Sequence, residues 1–358
     1  MIPGLAGFVL LSLILSCNPA TQTETPKDYT IRLNQEGYLP DAYKSAIVTG
    51  SAESFVIIDC PSKEVVHKGQ LGESAYWDAS GEAVQIADFS SFTTPGSYRL
   101  MVGENASEKF NIAEDVYVTL ATAGVKAYYY HRVGMALEEK YAGVFAREAG
   151  HPDDVVYVHA SAASPSRPEG TVISSPRGWY DAGDYNKYVV NSAITVATMM
   201  SFFEHYPDLA QGIETNIPES GDATPDLLDE VRYNLDWMLT MQDPGDGGVY
   251  HKLTSKNFTG MELPHLDKTE RWVVLKTTTA TLDFAAIMAQ ASRVYRPYDE
   301  AFADACIAAA KNAWVWASAH PDIVYVQPED VSTGAYDQKI QNIEDERFWA
   351  ATELSITT

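Results

Sequence analysis

The hydrophobic pattern of this 358-residue chain changes its period near residue 113. Before that point the apolar residues form short runs typical of strands, such as residues 54–59 and 96–102, with Gly and Pro turns between them. After it, longer apolar segments follow the 3.6-residue period of helices. The sequence therefore predicts a small β-sandwich over residues 29–112, followed by an all-α domain over residues 113–358.

Helical periodicity predicts five complete helices and part of a sixth in the second domain. The five predicted segments are residues 116–141, 185–205, 225–242, 275–295 and 298–319. The sixth begins near Asp345 and passes Leu354 without a stop signal, so we expect the chain to end inside the domain. Long loops rich in Gly, Pro and Asp separate the helices, and such loops usually carry function in a compact domain.

The N-terminus is typical of an export signal. Residues 5–16 are apolar but too short to span a bilayer comfortably, and they end at Cys17 in the string Ile-Leu-Ser-Cys. This string resembles a bacterial lipoprotein box, although residues 1–4 contain no Lys or Arg. Residues 18–28 are polar and suit a tether between membrane and folded protein. We expect an extracytoplasmic lipoprotein with signal segment 1–17, and simple secretion is the alternative.

Charge and cysteine content limit the partners, disulfides and zinc sites that this chain can have. With 25 basic and 49 acidic side chains the net charge is −24, which disfavours nucleic acid and anionic membrane surfaces as partners. Any membrane attachment is therefore expected only through the lipid on Cys17. Cys60 and Cys306 fall in different predicted domains, so a disulfide framework is excluded. The zinc spacings Cys-x-x-Cys and His-Glu-x-x-His are also missing from the sequence.

Residues 178–188 place Asp181 and Asp184 three positions apart, between aromatic residues and just ahead of a predicted helix. Both carboxylates can point at one small volume, where the dipole and free N–H groups of the helix favour their ionised forms. Such a pair can hold and deprotonate a water molecule. The structural alternative is that Asp184 is only the N-cap of the helix.

Several strings occur in an order that resembles glycoside hydrolase family nine. They are GWYDAGDYNKY at 178–188, IPES at 217–220, PDLLDE at 225–230, MQ at 241–242 and GGVYHKL at 247–253. Residues 34–40 and 44–48 resemble the immunoglobulin-like module that precedes the catalytic domain in many bacterial cellulases. The resemblance implies an (α/α)6 barrel, incomplete here at its C-terminus, that hydrolyses cellulose or related β-glucans with inversion.

The resemblance also implies catalytic roles, with Asp184 as the general base that activates water and Asp181 assisting it. An inverting hydrolase keeps its acid and base roughly 6.5–9.5 Å apart, so two aspartates within one turn form a single water-handling pair. Their mutual repulsion is expected to raise one pKa. In the family the general acid is a glutamate, which the resemblance places outside this chain. We therefore expect the chain alone to be weakly active or inactive.

Sugar binding needs flat apolar faces beside polar groups, and Trp179, Tyr180, Tyr250 and His251 are the predicted substrate contacts. Trp179 is equally well explained as a packing residue. The chemistry needs no cofactor. The resemblance implies a structural calcium, for which the carboxylates of residues 243–248 are candidates, but the sequence assigns no metal ligand.

Two other functions stay open at this point. The chain could be a non-catalytic β-glucan-binding protein that lacks the proton donor. Alternatively, the enzyme could act on xyloglucan or on a chain that contains glucosamine.

Overall fold

The computed structural model describes residues 28–335 and 343–358, and the chain divides into two compact units between Tyr117 and Val118. The sequence placed the change at residue 113. The predicted signal segment, Cys17 and residues 18–27 of the predicted linker lie outside the described residues. Among the described residues, the helices are too short or too polar for any of them to cross a bilayer.

The first unit is an antiparallel β-structure of two sheets. Its strands are β1 (Ile31–Leu33), β2 (Ser45–Thr49), β3 (Ser54–Asp59), β4 (Val65–Gln70), β5 (Ala75–Trp77), β6 (Glu82–Asp88), β7 (Gly96–Val102), β8 (Asn105–Ala106) and β9 (Phe110–Ile112). One sheet has the order β1-β2-β6-β5, and the other has the order β4-β3-β7-β8 with β9 also paired to β7. The observed bounds of β3 and β7 are those predicted from the sequence.

Alternation along the strands builds the core of this unit. In β7 the side chains of Tyr98, Leu100 and Val102 are buried, whereas those between them are more exposed. They join Phe55 and Ile57 of β3 in one apolar cluster, as expected for strands with one buried face. Neither Cys60 in this unit nor Cys306 in the second unit is in a disulfide.

Helices dominate the second unit. They are α1 (Val118–Tyr130), α2 (Glu139–Ala142), α3 (Val189–His205), α4 (Pro207–Gln211), α5 (Asp226–Thr240), α6 (Thr278–Tyr295), α7 (Glu300–Ala319) and α8 (Glu344–Thr357). Every residue of α6 except Arg293 is buried, because α3, α7 and α8 all pack against it. A helix that is apolar on all sides needs such an enclosed position.

The prediction that the first helix continues to residue 141 is wrong, because α1 ends at Tyr130. Beyond it the backbone pairs with distant loops: Val133 N donates to Gly178 O at 2.9 Å and Gly134 N to Gly150 O at 2.9 Å. Gly134 has a φ of 83°, a value that favours glycine and interrupts a helix. The end of α1 is thereby tied to the loop that carries the predicted catalytic aspartates.

The prediction of an all-α second domain is also wrong, because this unit contains a five-stranded sheet of order β11-β10-β14-β13-β12. Its strands are β10 (Val156–Val158), β11 (Val172–Ile173), β12 (Lys187–Tyr188), β13 (Lys252–Thr254) and β14 (Arg271–Val273). Strands of two or three residues are too short to show a period in the sequence. They form by pairing with distant segments, as when Lys187 lies opposite Leu253.

Candidate active site

The loop that carries Asp181 and Asp184 starts at a glycine that the structure requires. Gly178 has a φ of 82°, and a Cβ at this position would lie 2.8 Å from Cγ of Trp237 in α5. Any other side chain would therefore combine backbone strain with a clash against a buried ring. This close approach places the start of the aspartate loop directly against α5.

Trp179 is fixed by a buried ion pair beneath the loop. Its ring is 4% exposed, and its Nε1–H donates to Glu230 Oε1 at 2.8 Å. Glu230 is fully buried and pairs with Arg132 Nη2 at 3.0 Å, while Arg132 Nη1 contacts Glu219 at 3.0 Å. Burial raises the pKa of Glu230, and the charge of Arg132 opposes that rise. The indole N–H is thus held by Glu230, which together with Arg132 forms an ion pair that is buried from water.

The two aspartates are held by different side chains. Asn191 Nδ2 donates to Asp181 Oδ1 at 2.7 Å. Asp184 Oδ2 accepts from Asn186 Nδ2 at 2.7 Å and from the Tyr188 hydroxyl at 2.9 Å. The interpretation of Asp184 as an N-cap is wrong, because α3 begins at Val189 and Tyr188 precedes it.

The protonation of Asp181 reflects its place in a cleft. Burial raises the pKa of Asp181, the hydrogen bond from Asn191 opposes the rise, and the negative charge of Asp184 adds to it. The prediction that repulsion within the pair raises one pKa is confirmed, although burial is the larger cause. For Asp181, burial and the charge of Asp184 oppose the ionised form that the helix N-terminus was expected to favour.

A cavity of about 90 Å³ opens beside Asp181. Its lining residues are Tyr128, His131, Trp179, Tyr180, Asp181, Asn191, Ser192 and Thr195. This volume holds a few water molecules next to a carboxylate and the aromatic residues Tyr128, Trp179 and Tyr180. Trp179 and Tyr180, two of the predicted substrate contacts, therefore share a cavity wall with one of the predicted catalytic residues.

Two buried lysines, Lys187 of β12 and Lys252 of β13, lie in paired strands near the aspartate loop. Lys187 Nζ contacts Asp153 Oδ2 at 2.7 Å and donates to Ser175 O at 2.9 Å, and burial lowers its pKa to about 8. Lys252 Nζ donates to Thr333 O. Burial lowers the pKa of Lys252 to about 8, while the negative charge of Asp184 opposes this. Asp184 thus lies within the field of a buried ammonium group.

The other two predicted substrate contacts, Tyr250 and His251, are 0% and 3% exposed. The Tyr250 hydroxyl lies 3.4 Å from Asp243 Oδ2. The His251 ring hydrogen-bonds Thr277 Oγ1 through Nδ1 at 2.9 Å, and burial lowers its pKa to about 3. Neither residue lines the cavity beside Asp181. A sugar contact stays a prediction for both residues. Because both are buried, the segments that cover them would have to move before either ring could contact a sugar.

Residues 117–358 match the family model described as Glycosyl hydrolase family 9, and residues 27–107 match the one described as Cellulase N-terminal ig-like domain. The chain belongs to glycosyl hydrolase family 9. The predicted family and the predicted immunoglobulin-like module are both confirmed.

Curated relatives of this family 9 chain are named as β-glucanases. It is 47% identical over 361 residues to the xyloglucan-specific endo-beta-1,4-glucanase BoGH9A of Bacteroides ovatus, a match that covers 98% of this chain and 61% of that protein. It is 36% identical over 330 residues to Endoglucanase D of Acetivibrio thermocellus, which covers 91% of this chain and 51% of that protein. The chain thus spans about half to three fifths of the length of these relatives.

Solved structures agree with the family assignment. A structure titled Bacteroides ovatus GH9 superposes with a TM-score of 0.86 at 48% identity, and the match covers 92% of this chain and 61% of that one. A metagenome-derived family 9 endoglucanase superposes with a TM-score of 0.83 at 36% identity, again over 92% of this chain and 61% of that one.

The loop of residues 243–248 does not fit the calcium site considered from the sequence. Lys276 Nζ lies 2.6 Å from Asp243 Oδ2 and 2.8 Å from Asp246 Oδ2. The other carboxylate oxygens accept from Gly245 N and Gly248 N, each at 2.9 Å. A lysine ammonium therefore already neutralises the oxygens that a calcium ion would need. Within residues 28–335 and 343–358, no group of three or more His, Cys, Asp or Glu side chains is arranged to hold a metal ion.

Sequence reasoning missed several residues that position the aspartates in this family 9 chain. Asn186 and Tyr188 stand two and four residues after Asp184 and donate to the same oxygen, and this local spacing was a usable signal. Asn191 lies in the first turn of α3. Because the helix was predicted to begin at residue 185, this position was not recognised as the helix N-terminus. Glu230 lies within a recognised string, but its partner Arg132 is 98 residues away and gives no local signal.

Proposed function

We propose that this family 9 chain carries the water-activating half of an inverting β-1,4-glucanase. The observation that carries the proposal is a carboxylate that lines a cavity with aromatic walls, Asp181, three residues before a second one, Asp184, with each held by a side-chain amide. Asp181 and Asn191 line that cavity together with Trp179 and Tyr180. Inverting hydrolysis needs such a group to hold water on one face of the sugar.

Asp184 is assigned as the general base. Asn186 and Tyr188 both donate to its Oδ2, which leaves Oδ1 as the oxygen that we assign to the water. Asp184 removes one proton as the water attacks the anomeric carbon, and Asp181 accepts a hydrogen bond from the O–H that the water keeps and so orients it. The proton donor to the leaving oxygen is a glutamate that is not among residues 1–358. Attack from the face opposite the leaving group converts the β-linkage into an α-anomeric product.

The proposal also covers the fold of the second unit and the residues that contact the sugar. We assign helices α1 to α8 to part of an (α/α)6 barrel, in which α6 is buried on all sides except at Arg293. Trp179 and Tyr180 offer apolar faces to a pyranose ring at the cavity wall. Tyr250 and His251 stay proposed contacts whose rings reach a sugar after a local opening. The chemistry requires no cofactor.

Among β-1,4-glucans, xyloglucan is the first substrate to test, because a relative that is 47% identical is named for it. The net charge of −24 suits a neutral polysaccharide and opposes nucleic acid. We also propose export to the cell envelope with a lipid on Cys17, a residue outside the described part of the chain. Secretion without a lipid is the alternative.

Replacement of the base tests the proposed function. In the full-length protein, Asp184→Asn is expected to lower hydrolysis of xyloglucan or carboxymethyl-cellulose at least 10³-fold, in the upper part of the range of about 10²–10⁴ for general-base catalysis. The matched control Asp322→Asn changes an exposed aspartate and is expected to keep wild-type activity. Reducing-sugar release and oligosaccharide binding are measured for each variant.

Three outcomes separate the candidate functions. Loss of turnover with retained binding in Asp184→Asn supports the assignment. Full activity of Asp184→Asn refutes it. Binding of β-glucan by the wild-type protein without any turnover of xyloglucan, mixed-linkage glucan, carboxymethyl-cellulose or chitosan oligosaccharides shows a non-catalytic binding protein instead.

A further inference from the structure

The side chains of Tyr180, His151 and Asp267 are buried and form a line next to the aspartate loop, and of their polar groups the proposed function uses none. The Tyr180 hydroxyl lies 2.8 Å from His151 Nδ1, and His151 Nε2 lies 3.2 Å from Asp267 Oδ2. The three residues are 5%, 6% and 4% exposed, in that order. Buried polar groups cost free energy unless they are paired, so a closed line of this kind needs a reason to exist.

The hydrogen-bond partners of Asp267 indicate which groups in this line donate and which accept. Asp267 accepts from the Thr259 hydroxyl and from Thr269 N at 2.9 Å, and these bonds lower its pKa to about 2 against the effect of burial. Asp267 is therefore an acceptor, and it faces His151 Nε2 at 3.2 Å, although the angle of this contact is not that of a hydrogen bond. Burial and the charge of Arg271 lower the pKa of His151, which keeps the ring neutral. With the ring proton on Nε2 towards the carboxylate, Nδ1 accepts a hydrogen bond from the Tyr180 hydroxyl.

The backbone near His151 is held in an unfavourable conformation. His151 and Asp153 have φ values of 50° and 52°, in the left-handed region that non-glycine residues rarely adopt. A Cβ on Gly150 would lie 2.6 Å from Pro264, on the same loop as Asp267. Backbone strain of this kind persists only where the surrounding structure enforces it.

A tyrosine flanks the Asp181–Asp184 turn on each side, and His151 contacts both tyrosine rings. Tyr180 immediately precedes Asp181, and Tyr185 immediately follows Asp184. The two tyrosine rings lie 5.0 Å apart, and the ring of His151 lies 5.2 Å from that of Tyr185. The rings of Tyr180 and Tyr185 therefore close the turn, and His151 contacts both of them. Movement of Tyr180 would shift the carbonyl and Cα of its neighbour Asp181.

We propose that Tyr180, His151 and Asp267 form a relay that holds the Asp181–Asp184 turn in the geometry needed to orient the nucleophilic water. The proposal rests on the proposed function, which it deepens by naming positioning residues for the same site. None of the three relay residues transfers a proton to or from substrate. Their effect is on the placement of the two aspartates, to which turnover is sensitive at the scale of 1 Å.

The test compares two conservative variants of the full-length protein. Tyr180→Phe keeps the ring and removes only the hydroxyl, and His151→Phe keeps a ring of similar size and removes both the hydrogen bond to Tyr180 and the contact with Asp267. Each is expected to lower kcat on β-glucan about tenfold with KM within about twofold of wild type. The double variant is expected to lose about tenfold as well, because each change breaks the same relay.

A matched control is Tyr295→Phe, which removes another buried tyrosine hydroxyl, one that donates to Leu228 O in the helical core. It is expected to lower the melting temperature and leave kcat unchanged. Circular dichroism and the melting temperature establish that each variant is folded at the assay temperature. His151→Phe alone decides the outcome if Tyr180→Phe does not fold.

The results separate the relay from the base assignment. Wild-type kcat in both relay variants overturns the relay, as does a double variant in which the two losses multiply to about a hundredfold. A loss of activity in Asp184→Asn together with unchanged relay variants leaves the proposed function standing and removes only the relay. An active Asp184→Asn removes the proposed function, whatever the relay variants show.

Discussion

At the scale of single residues, the two aspartates of the site have different surroundings. Asp184 is half-buried and receives two hydrogen bonds on one oxygen, whereas Asp181 is exposed at the mouth of the cavity and receives one from Asn191. Two donors on a single carboxylate oxygen orient the other oxygen. This difference supports Asp184 as the base and Asp181 as the group that orients the water.

The buried histidine next to the site makes stability depend on pH. Burial lowers the pKa of His251 from 6.5 to about 3, so the ring is neutral in the folded protein at pH 7. The unfolded chain takes up the proton first as the pH falls below 6.5. The contribution of the neutral ring to the free energy of unfolding is therefore fully present above pH 6.5. It is lost as the pH falls from 6.5 to about 3, by roughly 5 kcal/mol in all.

Urea unfolding at several pH values measures this effect. The variant His251→Gln removes the titrating ring and is expected to lose less stability than wild type between pH 6.5 and 4. The control His205→Gln changes an exposed histidine at the end of α3 and is expected to follow the wild-type curve. Equal slopes for wild type and His251→Gln would show that the buried ring does not resist protonation.

The candidate residues of the aspartate loop could be grouped from the sequence, whereas the residues that hold them could not. Asp181, Asp184, Trp179 and Tyr180 stand together in one string, so local spacing is enough to group them. Their supports come from distant segments: Glu230 is 51 residues from Trp179, and His151 is 29 residues from Tyr180. Such contacts depend on the packed fold and have no signature in a single sequence.

At the scale of secondary structure elements, helix starts were predicted too early for a common reason. The predicted helix at residues 275–295 begins at Thr278, because β14 ends at Val273 and Thr277 caps the helix by accepting from Ala280 N. Likewise β12 occupies the start of the predicted helix at residues 185–205. In each case the pairing of a short strand with a distant segment sets the boundary ahead of the helix, and a single sequence does not show that pairing.

The loop at residues 243–248 depends on the lysine that precedes α6. Lys276 is the cation between Asp243 and Asp246, and Asp243 is fully buried. Lys276→Met leaves that carboxylate without its charge partner and is expected to lower the free energy of unfolding by about 3 kcal/mol. Urea unfolding checks this, with Lys311→Met, an exposed lysine of α7, as the control. Unchanged stability in Lys276→Met would contradict the role given to the ammonium group.

At the scale of the whole molecule, the change of hydrophobic period near residue 113 was enough to predict two domains of different class. The small sheet in the second domain was not predictable, because its strands have only two or three residues. That sheet nevertheless positions the site, since β12 lies between the aspartate loop and α3. The β-structure of the helical domain is therefore part of the catalytic architecture that we propose.

The central claim is that water activated by Asp184 attacks from the face opposite the leaving group. Proton NMR of the anomeric signals during hydrolysis of a xyloglucan or cello-oligosaccharide by the full-length protein tests it most directly. We expect the α-anomer to accumulate first and the β-anomer to appear only by mutarotation, with neither formed by Asp184→Asn. Initial accumulation of the β-anomer would contradict inversion, and with it the role of the Asp181 and Asp184 pair.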